Sequence, residues 1–105
     1  MWKQREVTYM RTLSRFVAEL TFLAGGRSSL PKLDGYMPHL VLDGGSDYLG
    51  VRFVEGPQPI FDTPIVSEFE LIYPGVDYAP LIPGVSFTVR EGARIVARGR
   101  VLRIV

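Results

Sequence analysis

From Val85 to Ile104 the chain spells a hairpin, an alternating run up to a glycine-bearing break and a second apolar run beyond it, and this pattern constrains the fold more than any other. Val85, Phe87 and Val89 alternate with Ser86, Thr88 and Arg90. A period of two puts one face of a strand in a core and the other in solvent. Glu91-Gly92 interrupts the pattern, and glycine reaches the positive φ that a tight reversal needs. A second strand leaves through Ile95 and Val96, and the chain closes on Val101–Val105, where Leu102 and Ile104 alternate against Arg103. Gly99, inside that second run, predicts a bulge or a barrel bend.

The rest of the chain repeats the theme. Phe16–Leu23 sets Phe16, Ala18, Leu20 and Phe22 against Glu19 and Thr21. Shorter strands are predicted at His39–Asp43, Tyr48–Glu55 and Ile65–Tyr73, with Leu49, Val51 and Phe53 inward and Arg52 outward. Eleven glycines and eight prolines fall largely in the breaks, and no stretch has a helical period. The expectation is an all-β domain over residues 15–105, built as a closed six-stranded antiparallel Greek-key barrel. Closure removes the exposed edges that such strands otherwise present. Residues 1–14 show no clean period and predict an arm or a short extra strand.

At 105 residues the chain is long enough for one core. It has no apolar run of the ~20 residues that span a membrane. Its first residues, Met1-Trp2-Lys3-Gln4-Arg5-Glu6, lack the apolar region of a secretory signal. With no cysteine there is neither a disulfide framework nor a thiolate metal site. A cytoplasmic location and no membrane partner are the expectations. The net charge of +1 conceals an uneven distribution. Residues 1–33 carry six basic and two acidic side chains; residues 34–77 carry Arg52 against eight acidic ones; residues 78–105 carry five arginines and Glu91. If the two ends meet in space, a basic face stands opposite an acidic one.

No catalytic constellation emerges. His39 is the single histidine, without metal-ligand spacing or a serine–carboxylate partner, and reads as structural or surface. Asp34, Asp43, Asp47 and Asp62 stand near Gly or Pro, where Asp bonds its own backbone. Gly25-Gly26-Arg27 either presents amides to a phosphate or makes a plain turn whose Arg anchors a neighbouring strand; the second reading is preferred. Arg90 and Glu91 pair with each other or across the hairpin. Arg90, Arg94, Arg98, Arg100 and Arg103, with Arg27 beside them, form either a phosphate-binding stripe or an ordinary solvated face. By parity Arg98 and Arg100 share a face, and Arg103 joins them only if a bulge shifts the register. Tyr36, Tyr48, Tyr73 and Tyr78 either stack on bases or belong to core and rim.

A family likeness lies in Thr21-Phe22-Leu23 with Gly25-Gly26-Arg27, then Gly35-Tyr36-x-Pro38, then Leu71-Ile72-x-Pro74. It continues in the ordered run from Gly84 and Phe87 through Arg90-Glu91-Gly92, Arg94, Val96 and Gly99 to Val101. In these residues the chain resembles the C-terminal (third) domain of elongation factor Tu, over most of its length from Phe16. The resemblance implies a six-stranded antiparallel barrel without catalysis of its own, one that in the full factor touches aminoacyl-tRNA, the GTPase domain and the exchange factor. The chain departs from that pattern in several places. It has no G-x-x-x-x-G-K-[ST] phosphate loop. Ser28-Ser29-Leu30-Pro31 stands where the family has a His-Thr-Pro run, Met37 where a basic residue is usual, and Ala97-Arg98 where small residues are usual.

The expectation is therefore a cofactor-free, non-enzymatic binding module for RNA, tRNA included, linked to translation. The alternative is a protein-interaction module for a partner of the translation machinery, or for a toxin or effector that targets it. A homodimer is a further expectation, because a lone barrel exposes apolar surface that other domains would cover.

Overall fold

This computed structural model describes residues 15–105, and all the regular structure in them is strand. The expectation for residues 1–14 lies outside the described residues. The strands are β1 (Arg15–Phe22), β2 (His39–Leu42), β3 (Leu49–Glu55), β4 (Ile65–Leu71), β5 (Ser86–Glu91) and β6 (Arg94–Ile104). They close into a barrel in the order β1-β4-β3-β2-β5-β6, with every neighbouring pair antiparallel. β2, β3 and β4 form a meander, and the connection over residues 23–38 lets β1 lie beside β4, a Greek-key path. No helix among the described residues is long and apolar enough to cross a membrane.

The alternation read in the sequence is the inward–outward alternation of the barrel wall. Phe16, Ala18, Leu20 and Phe22 of β1 meet Leu40, Leu49, Val51, Phe69, Phe87, Val89 and Val101 in one core. Phe16 and Phe69 stack with ring centroids 5.5 Å apart, and Phe53 meets Phe69 edge-on at 6.0 Å. Aromatic pairs of this kind contribute ~0.5–1.5 kcal/mol beyond the area they bury. The β5–β6 turn is the tight one expected: Glu91 pairs with Arg94, and Gly92 takes φ 63°.

Three local expectations are corrected. β4 ends at Leu71 rather than Tyr73, because the Tyr73 amide turns away to the Tyr78 hydroxyl, 3.3 Å distant. β3 starts at Leu49 rather than Tyr48. Gly99 is not where β6 bulges. A Cβ there would lie 2.6 Å from the Phe87 ring and 2.7 Å from the Glu19 carbonyl oxygen, so Gly99 is a close-approach position. The bulges fall on either side of it. Pairing steps from Val89–Ala97 to Arg90–Ile95, leaving Val96 extra. It also steps from Ala18–Val101 to Val17–Arg103, leaving Leu102 extra.

Candidate nucleic-acid interface

The second bulge sets the charge pattern of the barrel wall. Arg98 pairs with Thr21, Arg100 with Glu19, and Arg103 with Val17. These β1 residues alternate with the core positions Phe16, Ala18, Leu20 and Phe22, so all three arginines face outward. All three are exposed, and among the described residues none has an ion-pair partner. Arg90 of β5 continues the column. It pairs with His39 across one edge and Ile95 across the other, on the outward parity of its strand. Its Nε donates to the Thr88 hydroxyl at 2.9 Å, and Thr88 stands directly opposite Arg98. Four of the five hairpin arginines thus lie on one outer face of β5 and β6.

Arg27 and Arg94 do not belong to it. Arg27 Nε donates to both carboxylate oxygens of Glu91, at 3.1 and 2.9 Å, and its Nη1 donates to the Ser29 carbonyl at 2.7 Å. The turn reading of Gly25-Gly26-Arg27 is the one found: Arg27 anchors the end of β5. Gly26 is required there, since a Cβ would lie 2.5 Å from the Ile95 carbonyl oxygen. Arg94 lies beside this loop, where it lines an open hollow with Ala24, Gly25, Gly26 and Ser28. Among the described residues Arg90 and Glu91 pair neither with each other, because consecutive strand residues point to opposite faces, nor with a charged neighbour across the hairpin. Glu91 turns inward to Arg27 and also accepts the Tyr36 hydroxyl at 2.6 Å. Burial, with the Glu91 carboxylate second, holds the Tyr36 phenol far above its ordinary value.

The four tyrosines separate. Tyr36 is committed to Glu91, and the Tyr78 hydroxyl donates to the Gly50 carbonyl at 2.6 Å. Tyr48 and Tyr73 remain 43% and 48% exposed. Tyr48 packs edge-on to His39 with centroids 5.7 Å apart, and the Arg90 guanidinium carbon sits 5.9 Å from the Tyr48 ring, the outer limit of a cation–π contact. The sequence did not group these residues; His39 read as structural or surface, and only the β2–β5 pairing of His39 with Arg90 brings it to this face.

The acidic middle segment does not make a uniformly acidic wall. Glu68 is taken by Arg15 at 3.2 Å and Glu70 by Arg52 at 2.6 Å, in ladders where β1 and β3 flank β4. Asp77 follows the local rule, accepting the Ala79 amide at 2.9 Å. Asp62 instead clips two loops together, accepting the Ala24 amide at 3.2 Å from a backbone at φ 60°. Among the described residues no three His, Asp or Glu side chains gather as a metal site.

Away from the arginine face, Phe16, Leu71, Tyr73, Val76, Leu81 and Ile104 line an open groove of about 350 Å³ at one end of the barrel. No known protein-family model matches the chain, and a search of curated proteins finds no relative.

Proposed function

We propose that this chain is a non-catalytic binding module that takes RNA, tRNA included, on the outer face of β5 and β6. The observation that carries the reading is the Leu102 bulge, which sets Arg103 on the outward face of Arg98 and Arg100; Glu19 stands opposite Arg100, yet among the described residues none of the three makes an ion pair. Exposed guanidinium groups in a column suit a phosphate backbone, to which they donate in a planar fork. The resemblance to the third domain of elongation factor Tu favours a role in translation, in the cytoplasm, because that domain touches tRNA in the full factor.

Filter binding to total cellular tRNA at about 50 and about 200 mM salt tests the reading, with Arg98→Ala/Arg100→Ala as the control. Salt-sensitive retention that the double variant loses is the expected result. No retention at low salt sinks the reading.

A protein-interaction module is the second reading, and the groove beside Tyr73 and Ile104 favours it. A translation-machinery partner seated there binds through an apolar anchor. Its affinity changes little with salt and survives the loss of Arg98 and Arg100.

A further inference from the structure

Resting on the RNA-binding reading, we infer that Tyr48 is a base-stacking position at one end of the arginine face, and that the strand taken there is single-stranded.

The outward side chains of β2 and β3 run on from those of β5. His39 pairs with Arg90 on one side and Gly50 on the other. Gly50 is outward, because its neighbours Leu49 and Val51 are core residues. The Tyr73 ring lies where a Gly50 side chain would point. Tyr48 precedes Leu49, and the β2–β3 register carried one residue further sets it beside Val41. Val41 in turn pairs with Thr88, and Thr88 with Arg98. One side of the wall therefore reads aromatic, with His39 on β2, Tyr48 just before β3 and Tyr73, beyond the end of β4, with its ring over Gly50. The adjoining side reads cationic, with Arg90, Arg98, Arg100 and Arg103.

Tyr48 lies beside β3, three strand positions from β6 either way round the six-stranded barrel, and it is Arg90 of β5, 5.9 Å from the ring, that brings the cationic side to it. A backbone phosphate held at Arg90 can thus lay its base onto Tyr48. Bases in a duplex are already stacked on one another and offer no free face, whereas a single strand offers every one. Arg90 serves both halves of the site. It borders the Tyr48 ring, and Thr88 ties its Nε on the side of Arg98. The Tyr36 and Tyr78 hydroxyls are committed to internal bonds, at Glu91 and at the Gly50 carbonyl. Of the two exposed tyrosines, Tyr73 and Tyr48, only Tyr48 has its ring beside an arginine among the described residues.

Fluorescence anisotropy with the full chain tests this. The probes are a labelled uridine 12-mer and an RNA hairpin with the same number of phosphates, at one fixed salt concentration. Tyr48→Ala is expected to weaken the 12-mer roughly tenfold or more and to leave the hairpin unchanged, while Tyr48→Phe keeps the wild-type affinity. Equal loss for both probes, or no loss for either, overturns the stacking position while leaving the RNA-binding reading standing, provided that Arg98→Ala/Arg100→Ala still abolishes binding. Failure of both probes to bind the wild-type chain at low salt removes both. Far-UV circular dichroism of Tyr48→Ala must match the wild type, and Tyr48→Phe, which keeps the ring, supplies the comparison if it does not.

Discussion

Arg103 shares the outward face of Arg100 because Leu102 is taken up as an extra residue opposite the step from Val17 to Ala18. On strict alternation Arg103 would instead stand opposite Phe16, a core position 1% exposed. A guanidinium there would be buried without a partner, at a cost of several kcal/mol. The bulge avoids that cost, and it also lengthens the arginine column by one member.

This relationship separates arginines that the sequence could not. Arg103→Ala should lower tRNA affinity and flatten the log–log salt dependence by about 0.7–0.9, the contribution of one phosphate contact. Arg94→Ala, off the column beside the Gly25-Gly26 loop, should change neither by much. Titrations at several salt concentrations check both, and equal effects at the two positions would dissolve the idea of a face.

Arg27 is an anchor, so its loss should register in stability rather than in binding. Arg27→Ala leaves Glu91 with the Tyr36 hydroxyl alone, and the side chains of the pair are 24% and 27% exposed. A charged hydrogen bond in this setting contributes about 1–2 kcal/mol. The urea midpoint should fall accordingly, while the salt slope of tRNA binding stays as in the wild type.

Tyr36 predicts an alkaline limit to stability. Burial and the Glu91 carboxylate raise its phenol above the ordinary value of 10.0. Above that value an unfolded chain has released the proton and the folded chain still holds it. The unfolded state then binds fewer protons, and stability falls as pH rises. Below it both states are protonated, and this contribution is fully present. Tyr36→Phe should lose about 1–2 kcal/mol near pH ~7 through the missing bond to Glu91, yet decline less steeply between pH ~9 and pH ~11. Urea midpoints across that range, taken for both proteins, give the difference directly.

Gly99 and Gly25 form a matched pair. Gly99→Ala drives a methyl into the Phe87 ring and the Glu19 carbonyl, and overpacking of that kind costs about 1–3 kcal/mol. Gly25→Ala meets nothing within 4 Å and should shift the midpoint by less than about 0.5 kcal/mol. If Gly99→Ala were as mild as Gly25→Ala, the close β1–β5–β6 contact would be wrong.

Much of the barrel was legible in the residues themselves. The alternation at Phe16–Phe22 and Val85–Val89, the turn at Gly92 and the glycine and proline breaks are local signals. Each follows from the two-residue period of a strand and from the φ values that a reversal demands. The likeness of Arg98 and Arg100 was legible for the same reason. What tertiary pairing alone decided is which residues meet across the chain. Arg27 and Tyr36 reach Glu91 from sequence separations of 64 and 55. Tyr48 and His39 reach Arg90 only through the β2–β5 register. Arg103 turns outward only through a bulge whose position depends on how β6 lies against β1. Periodicity fixes the face of each residue relative to its neighbours in the same strand, but register is set by the closure of the whole barrel, and a shift of one residue reverses every side chain beyond it.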